Sequence, residues 1–163
     1  MDTQDKQAVP VRLLLNPLHA MSLGFGSGLS PKMPGTVGTL TGALIYFFLM
    51  PSHDWLIYGA IVIAGFAIGI FICGYTAKAL NVHDHPAIVW DEIIGYWLTM
   101  LLVPKTWEWL VIGFVLFRFF DIIKPWPISI LDKKVKGGFG IMIDDIIAAL
   151  FSLFIIQIFL YLL

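Results

Sequence analysis

Along the chain the apolar positions fall in long runs separated by short polar breaks, with little alternation inside each run. A surface helix would return a polar stripe every turn, so runs of this kind predict helices enclosed by protein or lipid on all sides. They lie at about 37–50, 55–75, 87–103, 107–123 and 145–163. The first is short for a bilayer core, which takes roughly 20 helical residues. Residues 11–25 are apolar but interrupted by Asn16, Pro17 and His19, which suits a short helix lying at the membrane interface. Residues 1–10 read as a polar, mobile tail. The expected fold is all-α: one domain over 1–163, a polytopic membrane helical bundle of about four to five spanning helices plus the short interfacial N-terminal helix.

Composition sharpens this picture. Hydrophobic residues make up 59% of the chain and charged residues 13%, with a mean hydropathy of +0.88. Soluble domains carry about a quarter charged residues, so the chain belongs with membrane proteins. A net charge of −1 gives no polyanion-binding signal and argues against a nucleic-acid partner. Cys73 is the only cysteine, which excludes an intrachain disulfide and a thiolate metal site and leaves a small buried hydrophobe. No cleavable signal peptide is visible, so insertion is expected to rest on the later spans. Trp55, Trp97, Trp107, Trp109 and Trp126 sit at or near the expected ends, where interfacial aromatics belong.

Basic residues set an orientation. Lys6, Arg12 and Lys32 precede the first run, Lys78 follows the second, and Lys124, Lys133, Lys134 and Lys136 follow the fourth. The other side offers Lys105 alone, beside Asp54 and Glu108. The positive-inside rule puts the N-terminus and the 76–86 and 124–144 loops in the cytoplasm.

That topology gathers the acids. Asp84, Asp91 and Glu92 flank the cytoplasmic start of the third run, Asp121 ends the fourth, and Asp144 and Asp145 open the fifth. Carboxylates grouped at one depth repel one another unless some protonate or share a cation. Hard oxygen ligands without cysteine suit Mg²⁺ better than zinc. Arg118 and Lys124 stand beside them, and Arg118 is one helical turn before Asp121. The glycine-rich stretch 24–39 adds Ser27, Lys32, Thr36 and Thr39 and can offer backbone N–H groups to a phosphate. A second such turn, 136–140, leads into Asp144 and Asp145.

Each feature also has a plainer reading. Asp144 and Asp145 suit a helix N-terminus, Asp84 suits a cap ahead of Pro86, and Asp121 suits an ion pair with Arg118 or Lys124. Glycines also serve close helix packing. His83 and His85 bracket Asp84 and either touch phosphate, metal or a proton in transit, or are simply interfacial. His19 and His53 read as structural or solvated. Asp91 and Glu92 resist the plain reading, since they sit about a turn past any cap, and adjacent helical residues point about 100° apart. At least one must face the bundle.

No Walker-type loop, no cysteine phosphatase spacing, no Pro-Ser-Gly-His stretch and no Asp-x-Asp-x-Thr motif occurs, which leaves metal-assisted chemistry as the phosphate mechanism. Four blocks, GFGSGLSPKMPGTVGTL (24–40), VHDHPAIVWDEIIGYW (82–97), FRFFDIIKPWPI (117–128) and GGFGIMIDDIIA (137–148), together resemble the phosphatidylglycerophosphatase A family of bacterial membrane phosphatases. The resemblance implies Mg²⁺-dependent hydrolysis of phosphatidylglycerol phosphate, drawn from the bilayer, to phosphatidylglycerol and inorganic phosphate at the cytoplasmic face of the inner membrane. It makes Asp84, Asp91, Glu92, Asp121, Asp144 and Asp145 the candidate metal ligands and catalytic acids. Ser27, Lys32, Thr36, Thr39, His83, His85, Arg118 and Lys124 are then the candidate substrate contacts. A cation- or proton-coupled transporter using the same carboxylates is the alternative, since intramembrane acids also mark ion paths. A noncatalytic membrane subunit, its acids serving as caps and ion pairs, is a further one.

Overall fold

The computed structural model describes residues 9–51 and 54–162; the expected mobile tail, apart from its last two residues, and His53 lie outside them. Among the described residues the architecture is all-α, as the uninterrupted apolar runs predict. A 3-10 turn (Val11–Leu15) leads into α1 (Pro17–Ser22), where Asn16 Oδ1 accepts from the Leu18 N–H at 3.0 Å and Pro17 fills the first helical position. The exposed Val11 and Leu15 on this segment agree with an interfacial element. A kinked 3-10 stretch (Gly24–Leu29) follows, bent at Phe25 and at Gly26, whose φ of 101° suits glycine.

The bundle proper is α2 (Pro34–Leu49), α3 (Trp55–Leu80), α4 (Trp90–Thr99), α5 (Trp107–Ile123), α6 (Ile128–Lys134) and α7 (Gly137–Leu162). The short α4 is its axis: α2, α3, α5 and α7 all pack against it. Its residues are almost all buried, including Ile93, Ile94 and Tyr96. Two indoles pin it. Trp90 Nε1 donates to the Gly65 carbonyl at 3.0 Å and Trp97 Nε1 to the Gly42 carbonyl at 2.9 Å, reaching backbone that a larger side chain would cover. Gly95 lets α4 close on α5 and α7, since a Cβ there would meet the Phe117 ring at 2.7 Å and the Asp145 carbonyl at 3.3 Å.

Among the described residues, only α3 and α7, at 26 residues each, are long and apolar enough to cross a membrane by length and composition. This corrects the expectation of four to five full spans. The helices α2 and α5 have 16 and 17 residues, and α4 has 10. The run 87–103 yields so short a helix because both its ends are spent on turns. Before α4, Ile88 N–H donates to His85 O at 2.8 Å and Val89 N–H to Ser22 O at 3.0 Å. After it, Leu102 takes a φ of 60° and Pro104 stops any return to helix. Non-helical backbone at such depth is tolerated where protein surrounds it. The outer faces of α2, α3, α5 and α7 expose Leu44, Phe48, Ile63, Phe71, Val115, Phe119 and Phe154, far more apolar surface than a soluble protein leaves open. Trp55, Trp107 and Trp126 are exposed as interfacial anchors should be, but Trp97 is buried, so its position near an expected end was misleading.

Candidate active site

The acids gather where the starts of α2 and α4, the end of α5 and the early part of α7 meet. Oxygens of Asp91, Glu92 and Asp145 lie within 4.8 Å of one another. Asp91 and Asp145 are buried, at 8% and 3% exposed. Asp91 Oδ1, Glu92 Oε2, Asp144 Oδ1 and Asp145 Oδ2 have no hydrogen-bond partner. Buried polar atoms nearly always find one, and an anion without one is costly. Three convergent carboxylates with unmet oxygens and no sulfur or nitrogen donor among them fit a hard divalent cation.

The remaining acids sort by their cations. Arg118 is ion-paired with Asp121 one turn on, as the plain reading of Asp121 has it, and its Nη1 is 3.9 Å from Glu92 Oε1. Asp121 also faces Asp145. Lys124 ties Asp144 of α7 to Asp132 of α6, the latter at 2.7 Å. Burial alone would lower the pKa of the Lys124 ammonium, and the Asp144 and Asp132 carboxylates more than reverse this, so it is raised. Asp84 stands at the rim, solvent-exposed, and the protein around its carboxyl still desolvates it enough to raise its pKa, with Lys124 working the other way.

Local structure overturns two of the plain readings and one premise. The helix α7 starts at Gly137, so Asp144 and Asp145 lie two turns inside it and cap nothing. Residues 137–140 are therefore its first turns, not a phosphate-cradling loop. Gly138 is there for packing, because a Cβ would overlap the Ile70 carbonyl of α3. Asp84 does not cap α4, whose N-cap is Val89. Asp91 and Glu92 fall in the first turn of α4, not a turn beyond it, because the His85–Ile88 turn delays the helix start.

The expected substrate contacts divide likewise. Thr39 is buried and its hydroxyl donates to Gly35 O at 2.9 Å, within its own helix. Thr36 lies in the first turn of α2, next to Gly35. Ser27 keeps a buried hydroxyl without a partner. Lys32 is exposed on the loop ahead of α2. His83 Nε2 accepts from the Gly137 N–H at 3.0 Å, and the buried His85 accepts through Nδ1 from the Ala87 N–H at 3.1 Å, so both brace turns around the site. His19 is structural, bonded through Nδ1 to Thr76 Oγ1 at 2.9 Å and stacked on Tyr75.

Two residues escaped the sequence reading. Gly35 opens α2, which has no side-chain cap, directly against the site: a Cβ on it would overlap Glu92 Oε1 and approach Arg118 Nη1 to 3.1 Å. A glycine after proline at a helix start, inside a loop already suspected, was the available signal. Asp132, the second partner of Lys124, carried none, since it sits in an ordinary polar stretch.

Fold and site together define a class: a membrane-associated, all-helical protein whose polar interior is built of carboxylates with two cationic side chains at their edge. The family model for phosphatidylglycerophosphatase A matches residues 20–160. The phosphatidylglycerophosphatase A of Escherichia coli (strain K12) is 50% identical over 84% of this chain and 80% of its own length. That of Haemophilus influenzae is 42% identical over 88% of each. A putative phosphatidylinositol-3-phosphatase of Bacteroides thetaiotaomicron is 38% identical over 83% of this chain and 88% of its own length. No solved structure matches the chain. The chain belongs to the phosphatidylglycerophosphatase A family, a family of lipid phosphatases.

Proposed function

We propose that the protein hydrolyses phosphatidylglycerol phosphate to phosphatidylglycerol and inorganic phosphate, the last step of phosphatidylglycerol synthesis, with Mg²⁺ held by Asp91, Glu92 and Asp145. One observation carries the reading: three convergent carboxylates with unmet oxygens, two of them buried, lie beside Arg118 and Lys124, in a chain half identical over most of its length to a phosphatase of that name. Bound there, Mg²⁺ would neutralise phosphoryl charge and make a bound water more acidic. Arg118, with an unpartnered Nε, and Lys124 would hold the phosphoryl oxygens. Asp144 Oδ1, free of partners and within electrostatic reach of Asp91, would take the proton from the attacking water and return it to the glycerol oxygen as the phosphorus–oxygen bond breaks. Asp121 holds Arg118 in place.

The site would face the cytoplasm, because the lysines at 78, 124, 134 and 136 flank the helix ends that bear the acids. A lipid whose headgroup carries a terminal phosphomonoester would present it at that depth. Nothing found for this chain favours transport.

The test is phosphate release by the purified protein in mixed micelles, with Mg²⁺ and with EDTA, from phosphatidylglycerol phosphate and from phosphatidylinositol 3-phosphate. Release from the first substrate that stops with EDTA and returns with Mg²⁺ is expected. Release that ignores EDTA would remove the metal, and preference for the inositol lipid would move the chain toward its Bacteroides relative.

A further inference from the structure

The positive charges around the carboxylates are placed asymmetrically. Asp91, Glu92 and Asp145 face one another without a cation wholly theirs, whereas Asp144 and Asp132 share the Lys124 ammonium. We propose that the site takes a single divalent cation, on Asp91, Glu92 and Asp145, and that the Lys124 ammonium stands where a two-metal phosphatase would hold its second ion. This rests on the metal reading above and adds a stoichiometry and a role for Lys124.

Two-metal sites hold their ions roughly 3.5–4 Å apart, each with oxygen ligands of its own. Here three of the acids that would serve a second ion each already give one oxygen to a cation. Asp144 Oδ2 and Asp132 Oδ1 both accept from Lys124 Nζ, and Asp121 Oδ2 accepts from Arg118. Asp84, the other acid on that side, also has Lys124 as its main opposing charge. A second dication would have to displace a fixed ammonium that two carboxylates retain.

The backbone is consistent with a fixed position. Lys124 is the C-cap of α5 with a φ of 44°, a left-handed conformation that glycine usually supplies. A lysine is retained where the backbone favours glycine because its side chain spans α6 and α7. An ammonium has three donors, and two are used. The third is left for a phosphoryl oxygen.

Mn²⁺ stands in for Mg²⁺ in the test, with free ion counted by electron paramagnetic resonance as it is titrated into the protein in detergent. Wild type should bind one ion per chain. Lys124→Met should bind a second, weaker one, while Lys124→Arg, which keeps the charge, should stay at one. Two ions in wild type would overturn the proposal, and so would a folded Lys124→Met protein that binds only one. Should that variant fail to fold, the wild-type count decides alone. An active wild type that binds no ion would overturn the metal reading itself, and this inference with it.

Discussion

The two ends of the bundle are built from the same helices yet treat their polar groups in opposite ways. At the end away from the acids, Tyr58 donates to the Trp97 carbonyl, and Tyr96 to the Leu110 carbonyl at 3.0 Å. Lys105 donates to the Met50 carbonyl at 2.9 Å and lies over the Tyr46 ring, 5.3 Å from its centre. Every one of these buried or half-buried groups has a partner within the chain. At the acid end Asp91, Glu92, Asp144, Asp145 and Arg118 each keep a buried polar atom without one. A satisfied polar group stabilises a fold and needs nothing more, whereas an unsatisfied buried anion is tolerated where an outside partner completes it. The contrast separates scaffold from site without any appeal to kinship.

Breaking the acid end should give the largest effect. Asp145→Asn or Glu92→Gln is expected to lower phosphate release by 10³-fold or more, about 4 kcal/mol of transition-state stabilisation. Neither should lower thermal stability in EDTA, because each removes a charge that keeps a desolvated oxygen without a hydrogen-bond partner. Thermal melts beside the micelle assay would decide, and a neutral variant that loses both stability and activity would make the carboxylate structural.

A smaller loss is expected from Gly35→Ala. The new methyl would press on Glu92 Oε1 and the Arg118 guanidinium without removing either charge. Displacements of that size can cost about 10²-fold in rate. Unchanged turnover in a folded Gly35→Ala protein would mean that the start of α2 is not part of the site.

The least effect on catalysis should come from the opposite end. Tyr58→Phe leaves the Trp97 carbonyl short of a donor and should cost about 1–2 kcal/mol of stability. Its turnover per folded molecule should match wild type. A Tyr58→Phe enzyme that is stable but slow would show that the two ends are coupled.

Much of the site could be read from residues alone, because the chemistry demands it. Carboxylates in so apolar a chain need a shared reason, and the pairing of Arg118 with Asp121 one turn later followed from helical spacing. Burial of Cys73 followed from its apolar setting. What misled was local. The loop 136–140 looked like a turn because glycines usually make one, but here they let α7 touch α3. The span at 87–103 looked complete because hydropathy counts residues and cannot see that the three residues before α4 and the four after it go into turns tied to α1 and to the far end.

The sequence by itself determined the all-helical class, the membrane setting, the candidate acids and the family, since apolar run length, charge rarity and motif order are one-dimensional properties. Only the tertiary structure decided which acids meet. Asp91 and Glu92 come from α4 and Asp145 from α7, while Asp144, the residue before Asp145, turns instead to Lys124. Neighbours on a helix point about 100° apart, so Asp144 and Asp145 part while Asp91 and Glu92 both reach the cluster, and packing decides which side chains meet.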